Sequence, residues 1–241
     1  MQHVNWVIGA LEPELRADFA KDLVEVELEH GQVLQTEGGS VEQVYFPTGA
    51  VIGLFSTVPT GEVIETAMVG WDGALGVFEA CGSRRSTCRA QVQIPGRAWR
   101  MRGEAYRRAF ERSNALREHV HKYVELLLME ARQYVACNAL HSVEARLSRS
   151  ILEALDRADE SAQLPMTQEE LAQMLGVQRT TVTLAINQLQ AAGALRSRRG
   201  VIQVIDRKQV ERRACCCWRT VADARNEILG SPEPVCADEV H

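Results

Sequence analysis

The segment TQEELAQMLGVQRTTVTLAINQLQ, residues 167–190, constrains this chain more than any other, because it reads as two short helices hinged on one glycine. Thr167 is placed to cap the first helix, and Glu170, three residues on, completes a capping box. Leu171, Met174 and Leu175 give that helix an apolar side. Gly176 falls where the chain must turn through a left-handed conformation, which glycine adopts without a Cβ clash. Val177 fills the elbow, and Val182, Ile186 and Leu189 form the buried stripe of the second helix. The opposite side presents Thr180, Thr183, Leu184 and Asn187, with Arg179 in the first turn. That side is too polar for a core and carries no acid from Gly176 to Gly193. A helix N-terminus adds free N–H groups and a positive dipole end suited to phosphate. An arginine there can reach guanine O6 and N7 in a major groove. Directly after it, RSRRG sets Arg196, Arg198 and Arg199 at a turn between short strands, where a wing can grip a phosphate backbone.

The charge distribution agrees with this reading although the overall balance does not announce it. The chain of 241 residues carries a net charge of −5. Residues 1–60 hold nine acidic and two basic residues, whereas residues 167–213 hold eight basic and four acidic ones. An acidic front therefore precedes a local basic patch. At 46% apolar and 24% charged, the composition suits a packed core. The N-terminal stretch lacks a positive region followed by an apolar run, so no secretory signal is read, and YVELLLMEA is too short and too acidic for a membrane span. Seven cysteines without such a signal point to free thiols in a reducing cytoplasm.

Ahead of the basic patch, residues 24–101 read as β structure. VEVELE, QVYF, VIGLFSTV, EVIETAMV and CRAQVQI are rich in β-branched residues and separated by EHGQ, EGGS, PTGA, PTGE and VGWDG. Short strands at even spacing favour a closed or double-sheet antiparallel barrel. From about Glu104 the period becomes helical: Leu116, Val120, Tyr123, Leu127, Tyr134 and Cys137 make a stripe that Val124, Leu128 and Val135 widen. Its length suits pairing with a twin helix in a dimer; packing on its own domain is the alternative. A second amphipathic stretch covers 142–158, and DESAQLP reads as a loop. RKQVERRACCCWRTVADARNEIL reads as helical, with GSPEPVCADEVH as a frayed tail. The adjacent Cys215, Cys216 and Cys217 lack zinc-type spacing and, on a helix, would point about 100° apart, so they are read as small buried residues and no metal site is expected. A redox-sensing thiol among Cys81, Cys88 and Cys215–Cys217 stays as an alternative.

At this point the sequence resembles the Crp/Fnr family of bacterial transcription regulators, over roughly residues 20 to 213. The resemblance rests on TQEELAQMLGVQRTTVTLAINQLQAAGAL at the back and on GQVLQTEGG, VYFPTGAVIGL and VGWDGALGVF at the front. It implies an α+β chain in four parts. A cyclic-nucleotide-binding-like β-roll (double-stranded jelly-roll) would span 1–112 and a dimerisation helix 113–140. A winged helix–turn–helix would span 141–213, and a helical extension with a tail 214–241. It implies a homodimer on double-stranded DNA, a pseudo-palindromic operator and RNA polymerase as a further partner. Arg179 then matches the family's guanine reader, Gln178 and Thr181 its phosphate contacts, while Thr180 and Leu184 replace two other readers; Leu184 can instead meet a thymine methyl.

The sensor half departs from that pattern. Cyclic-nucleotide binders of this family use a glutamate for the ribose hydroxyl and an arginine for the phosphate. Here GALGVFEACGSRRSTCRA puts Ala74 in the glutamate's place. The candidate effector pocket is accordingly Ala74, Arg84, Arg85, Ser86, Arg89 and Glu130, and Glu130 and Ala131 stand where the base would be read. The expectation is an unidentified small-molecule effector other than cAMP. The first 80 residues hold no cysteine for an iron–sulfur cluster, and His3, His30, His119, His121 and His141 read as surface residues and not haem ligands. An enzyme such as a thiol oxidoreductase is the rival class, but no paired carboxylates, Ser/His/Asp arrangement or phosphate-binding glycine loop is read. A ligand-independent regulator whose roll is only a scaffold is the other rival.

Overall fold

The computed structural model describes residues 4–158 and 163–230. Two short helices, α1 (Trp6–Gly9) and α2 (Pro13–Ala20), precede seven strands: β1 (Val24–Leu28), β2 (Val33–Gln35), β3 (Gln43–Pro47), β4 (Val51–Thr57), β5 (Val63–Val69), β6 (Arg89–Ile94) and β7 (Gly96–Arg102). They form two antiparallel sheets, one ordered β1-β7-β3 and the other β2-β6-β4-β5. Leu28, Tyr45, Ile52, Leu54, Val69, Val92 and Ala98 meet in one apolar cluster drawn from both sheets, as alternating strand residues must when two sheets share a core. A second cluster, with Phe46, Met101 and Tyr106, lies against the helices.

The helical half follows as α3 (Gly103–Arg112), α4 (Asn114–Leu140) and α5 (Val143–Arg157). Then come β8 (Gln163–Leu164), α6 (Gln168–Leu175), α7 (Arg179–Ala191), β9 (Leu195–Arg198), β10 (Val201–Val204), α8 (Arg207–Arg213) and α9 (Cys217–Leu229). Strands β8, β10 and β9 make a small antiparallel sheet beside α5, α6 and α7. Their core is continuous with the outer face of the roll: Val51, Met68 and Ile94 join Leu147, Ile151, Leu171, Ile186 and Leu189 in one cluster. The architecture is therefore α+β, a β-roll followed by a long helix and a winged helix–turn–helix. Among the described residues no helix is long and apolar enough to cross a membrane.

Three expectations change. Sequence periodicity offers Leu116, Val120, Tyr123, Leu127 and Tyr134 to a twin helix, but Leu116, Val120, Tyr123 and Tyr134 are buried within their own chain and Leu127 packs on its core. The large apolar side chains that α4 leaves outward are Val124, Leu128 (50% exposed), Val135 (73% exposed) and, at its last residue, Leu140. The stripe was wide because the helix has two apolar faces. Second, the run RKQVERRACCCWRTVADARNEIL is not one helix: α8 stops at Arg213, Ala214 is extended, and α9 starts at Cys217. Third, Gln163 and Leu164 at the end of the expected loop form a strand against β10. The tail segment SPEPVCADEVH lies outside the described residues, as do His3 and residues 159–162.

A buried ionic hub fixes the roll against α4 and α5. Arg157 reaches Asp72 at 2.9 Å and Glu130 at 2.5 Å, and Arg225 reaches Asp72 at 3.3 Å. One turn away, Arg149 pairs with Glu153 at 2.9 Å, and the Tyr134 hydroxyl donates to the same carboxylate at 2.7 Å. Burial pulls the Arg157 guanidinium down, but Asp72 and Glu130 together hold it well above its ordinary value, so it stays charged. The VGWDG turn can approach because two of its residues lack a side chain. A Cβ on Gly70 would lie 2.6 Å from Arg157 Cβ, and one on Gly73 would lie 2.3 Å from the Tyr123 ring.

Candidate nucleic-acid interface

The helix pair forms as its residues dictate. Thr167 and Glu170 make the reciprocal capping box at the head of α6: the Glu170 backbone N–H donates to Thr167 Oγ1 at 3.2 Å, and the Thr167 N–H donates to Glu170 Oε2 at 2.7 Å. Gly176 ends α6 with φ +62, and its N–H and that of Val177 close the turn on Gln173 and Ala172 carbonyls. Helix α7 then buries Val182, Ala185, Ile186 and Leu189. What remains outward is Arg179, Thr180, Thr181, Leu184 (60% exposed) and Asn187, with Gln178 as an N-cap whose side chain makes no capping bond. An N-cap without a side-chain acceptor leaves the first N–H groups of α7 open to an outside anion.

Thr183 is set differently from the other expected contacts. It is half-buried, and its hydroxyl lies 2.8 Å from Gln168 Oε1 and 3.0 Å from the Arg179 carbonyl, so it ties α7 to α6 instead of standing free on the outer face.

The wing closes beside the head of α7. Strands β9 and β10 pair from Leu195↔Val204 to Arg198↔Val201 around a two-residue turn, Arg199–Gly200, in which both residues have positive φ (48 and 78). That is the backbone a tight hairpin matching strand twist requires. The Ser197 N–H donates to Gln190 Oε1 at 2.9 Å, which ties the wing to the end of α7. Arg179 and Arg199 line one open groove with Thr167, Gln168, Glu169, Ser197 and Gly200. Arg196, Arg198 and Arg199 are exposed, and among the described residues no carboxylate pairs with them or with Arg179. Guanidiniums without a paired carboxylate, with Glu169 as an acid lining the same groove, still leave this face net positive and anion-seeking.

The effector residues expected from the sequence do not meet in one cavity. Ala74 is buried in the cluster shared with α4. Arg84 and Arg85 are exposed, and Arg85 Nη1 donates to the Gly38 carbonyl at 2.9 Å. Ser86 is buried and donates to Gln35 Oε1 and the Cys88 carbonyl. Arg89 bonds Gln91 on the face of the roll turned toward α6. Glu130 belongs to the Arg157 hub. Ala74 to Arg89 lie in one stretch of chain, but its turns and strands send their side chains to different contacts, and Glu130 faces the hub from α4.

A grouping that sequence reading missed lies at the far end of α4: Cys137, His141, Cys215 and Cys217 place one ligand atom each within 4.8 Å of one another. The expectation that the consecutive cysteines lie on a helix hid it. The legible signal was Cys137 and His141 at helical i, i+4 spacing.

Residues 145–213 match the family model of the Crp-like helix-turn-helix domain. A search with the sequence found no match among curated proteins. Solved structures of similar fold include a putative transcriptional regulator of the Crp/Fnr family from Eubacterium rectale (15% identity, 85% of this chain and 95% of that one, TM-score 0.66). FixK2 from Bradyrhizobium japonicum is similar over 80% of this chain and 98% of its own (15% identity, TM-score 0.66). TTHA1359, a Crp/Fnr family transcriptional regulator from Thermus thermophilus, is 23% identical over 79% of this chain and 98% of its own, with a TM-score of 0.63. The chain therefore has the fold of the Crp/Fnr regulators, and its residues 145–213 match the Crp-like helix-turn-helix domain.

Proposed function

We propose that this protein is a cytoplasmic, homodimeric transcription regulator that reads a pseudo-palindromic operator with α7 and grips the flanking phosphates with its wing. The observation that carries the reading is the outward face of α7: an arginine at its head, hydroxyl and amide side chains behind it, and free arginines on the adjoining hairpin. Arg179 is assigned to a guanine, with Thr180, Leu184 and Asn187 on neighbouring bases and Thr183 holding α7 in place. Gln178, Thr181, Arg196, Arg198 and Arg199 are assigned to phosphates. In this reading residues 1–112, 113–140, 141–213 and 214–241 act as roll, dimerisation helix, DNA-binding domain and extension. Val124, Leu128 and Val135 would form the seam between two copies, and bound RNA polymerase would be the transcriptional partner.

The dispersal of Ala74, Arg84, Arg85, Ser86, Arg89 and Glu130 favours a roll that does not take cAMP. It also favours the second reading, in which the roll serves as an assembly scaffold. The test of the interface compares two substitutions on a selected operator and on scrambled duplex. Arg179→Ala is expected to cost ~1–3 kcal/mol on the operator and to relax one guanine position. Arg198→Ala or Arg199→Ala is expected to weaken all duplexes alike and to lower the salt slope by about one. Equal loss from Arg179→Ala on operator and scrambled DNA would refute base reading by that residue.

A further inference from the structure

The last turn of α4 and the break between α8 and α9 meet in a small cluster whose buried members are Cys137, Cys215 and Cys217, with only Ala145 packed beside them. His141 closes its side: His141 Nδ1 lies 3.5 Å from Cys217 Sγ, and the Cys137 and Cys215 sulfurs lie 3.4 Å apart. We propose that Cys137, His141, Cys215 and Cys217 are the four ligands of a structural zinc ion.

Ligand type, number and spacing all point to one tetrahedral ion. Three sulfurs and one imidazole nitrogen are a donor set that structural zinc takes. With Zn–S near ~2.3 Å and Zn–N near ~2.0–2.1 Å, the edges of such a tetrahedron are about 3.5–3.8 Å. The Cys137–Cys215 and His141–Cys217 edges are 3.4 and 3.5 Å, and every ligand atom lies within 4.8 Å of the others. An iron–sulfur core, which interposes several iron and sulfide atoms between its thiolates, needs a wider set. A disulfide is a different arrangement: its sulfurs would have to close to about 2.05 Å, and the cysteines here are free thiols. Three buried cysteines also leave no open position for a substrate, which separates this site from a catalytic one.

The backbone explains how side chains 78 residues apart in sequence converge. Gln133, Cys137 and His141 are spaced i, i+4, i+8 along the end of α4, so they form one row on its surface. On the other side, extended Ala214 and turned Cys216 separate two helices, letting Cys215 and Cys217 face the same point while Cys216 is exposed. Cys217 stands at the head of the 13-residue α9. An outer group is present as well, since Gln133 Nε2 donates to Cys217 Sγ at 3.0 Å. The Cys215 N–H points to the Ala145 carbonyl at 3.4 Å. Such an ion would join the end of the long helix, the first turn of α5 and the C-terminal helix. It would thereby fix the bend at His141–Ser142 through which the DNA-binding half hangs from α4. The assignment does not depend on the DNA-binding reading.

The test uses the full chain, purified under reducing conditions without chelator, and measures bound metal and free thiols. One zinc per chain is expected, retained in Cys216→Ser and lost in Cys137→Ser, Cys217→Ser and His141→Ala. Because those variants can misfold, metal-stripped wild-type protein is also titrated with Co2+. A tetrahedral thiolate–cobalt spectrum that saturates at one ion per chain and is displaced by Zn2+ supports the site. Folded wild-type protein with all thiols free and no such spectrum overturns it. So does loss of zinc in Cys216→Ser equal to that in Cys217→Ser.

Discussion

A single hydrogen at Gly73 decides how closely the roll can approach α4. The Tyr123 ring is fully buried and has nowhere to move, and a Cβ at Gly73 would stand 2.3 Å from it. Gly73→Ala is therefore expected to lower stability by at least ~1–3 kcal/mol, as overpacking does in rigid cores, measured by denaturant unfolding. Glu65 is the second informative residue. It is buried, one of its carboxylate oxygens has no partner, and burial pushes its carboxyl up to about 8 against the pull of Arg149. The folded chain then holds a proton that the unfolded chain releases in the ordinary carboxylate range. The Glu65 contribution to stability accordingly falls as pH rises from about 4.5 towards 8. Glu65→Gln removes that dependence. Its advantage over the wild type should be small at pH 5 and grow to about 4–5 kcal/mol by pH 9, and a constant difference across that range would contradict the assignment.

Elements were legible where one local rule governed them. The α6–Gly176–α7 pair follows from a cap, a left-handed glycine and two apolar stripes, all within 24 residues, and the strands follow from alternation and turn residues. Helix α4 was legible as a helix but not in its orientation. Tyr123, Tyr134 and Glu130 face inward because of Gly73, Glu153 and Arg157, which are distant in sequence. Only half of the Cys/His group was legible, as the i, i+4 pair Cys137 and His141, since no local pattern joins residue 137 to residue 215. The corrected face carries its own prediction. Leu128 and Val135, exposed at 50% and 73%, are the apolar residues a twin helix would cover. Leu128→Glu or Val135→Glu should shift the protein from dimer to monomer in sedimentation while leaving its helix content unchanged. It should also weaken operator binding by at least tenfold, because the second half-site is no longer delivered in the same molecule. A wild-type protein that sediments as a monomer at micromolar concentration would remove the basis for this.

At the scale of the whole molecule, the roll and the winged helix–turn–helix are joined by a shared core and an ionic hub. Val51, Met68 and Ile94 of the roll pack with α5, α6 and α7, and Arg157 of α5 bridges Asp72 of the roll and Glu130 of α4. Arg157 thus sits in a buried charge pair with each of these carboxylates. Removing one partner of such a pair leaves an uncompensated charge and costs about 3–5 kcal/mol. The shared core and the hub make α7 part of a stiff assembly. Two copies joined through α4 would present two such helices to successive major grooves, about 34 Å apart on a pseudo-palindrome. The most direct measurement is selection of duplexes from a random pool by the full-length wild-type protein at near-physiological salt, followed by competition against scrambled DNA. The account predicts an inverted-repeat site with a guanine in each half, preferred over scrambled competitor by about 10³-fold or more. Recovery of no preferred sequence, with binding that depends on salt alone, would contradict it.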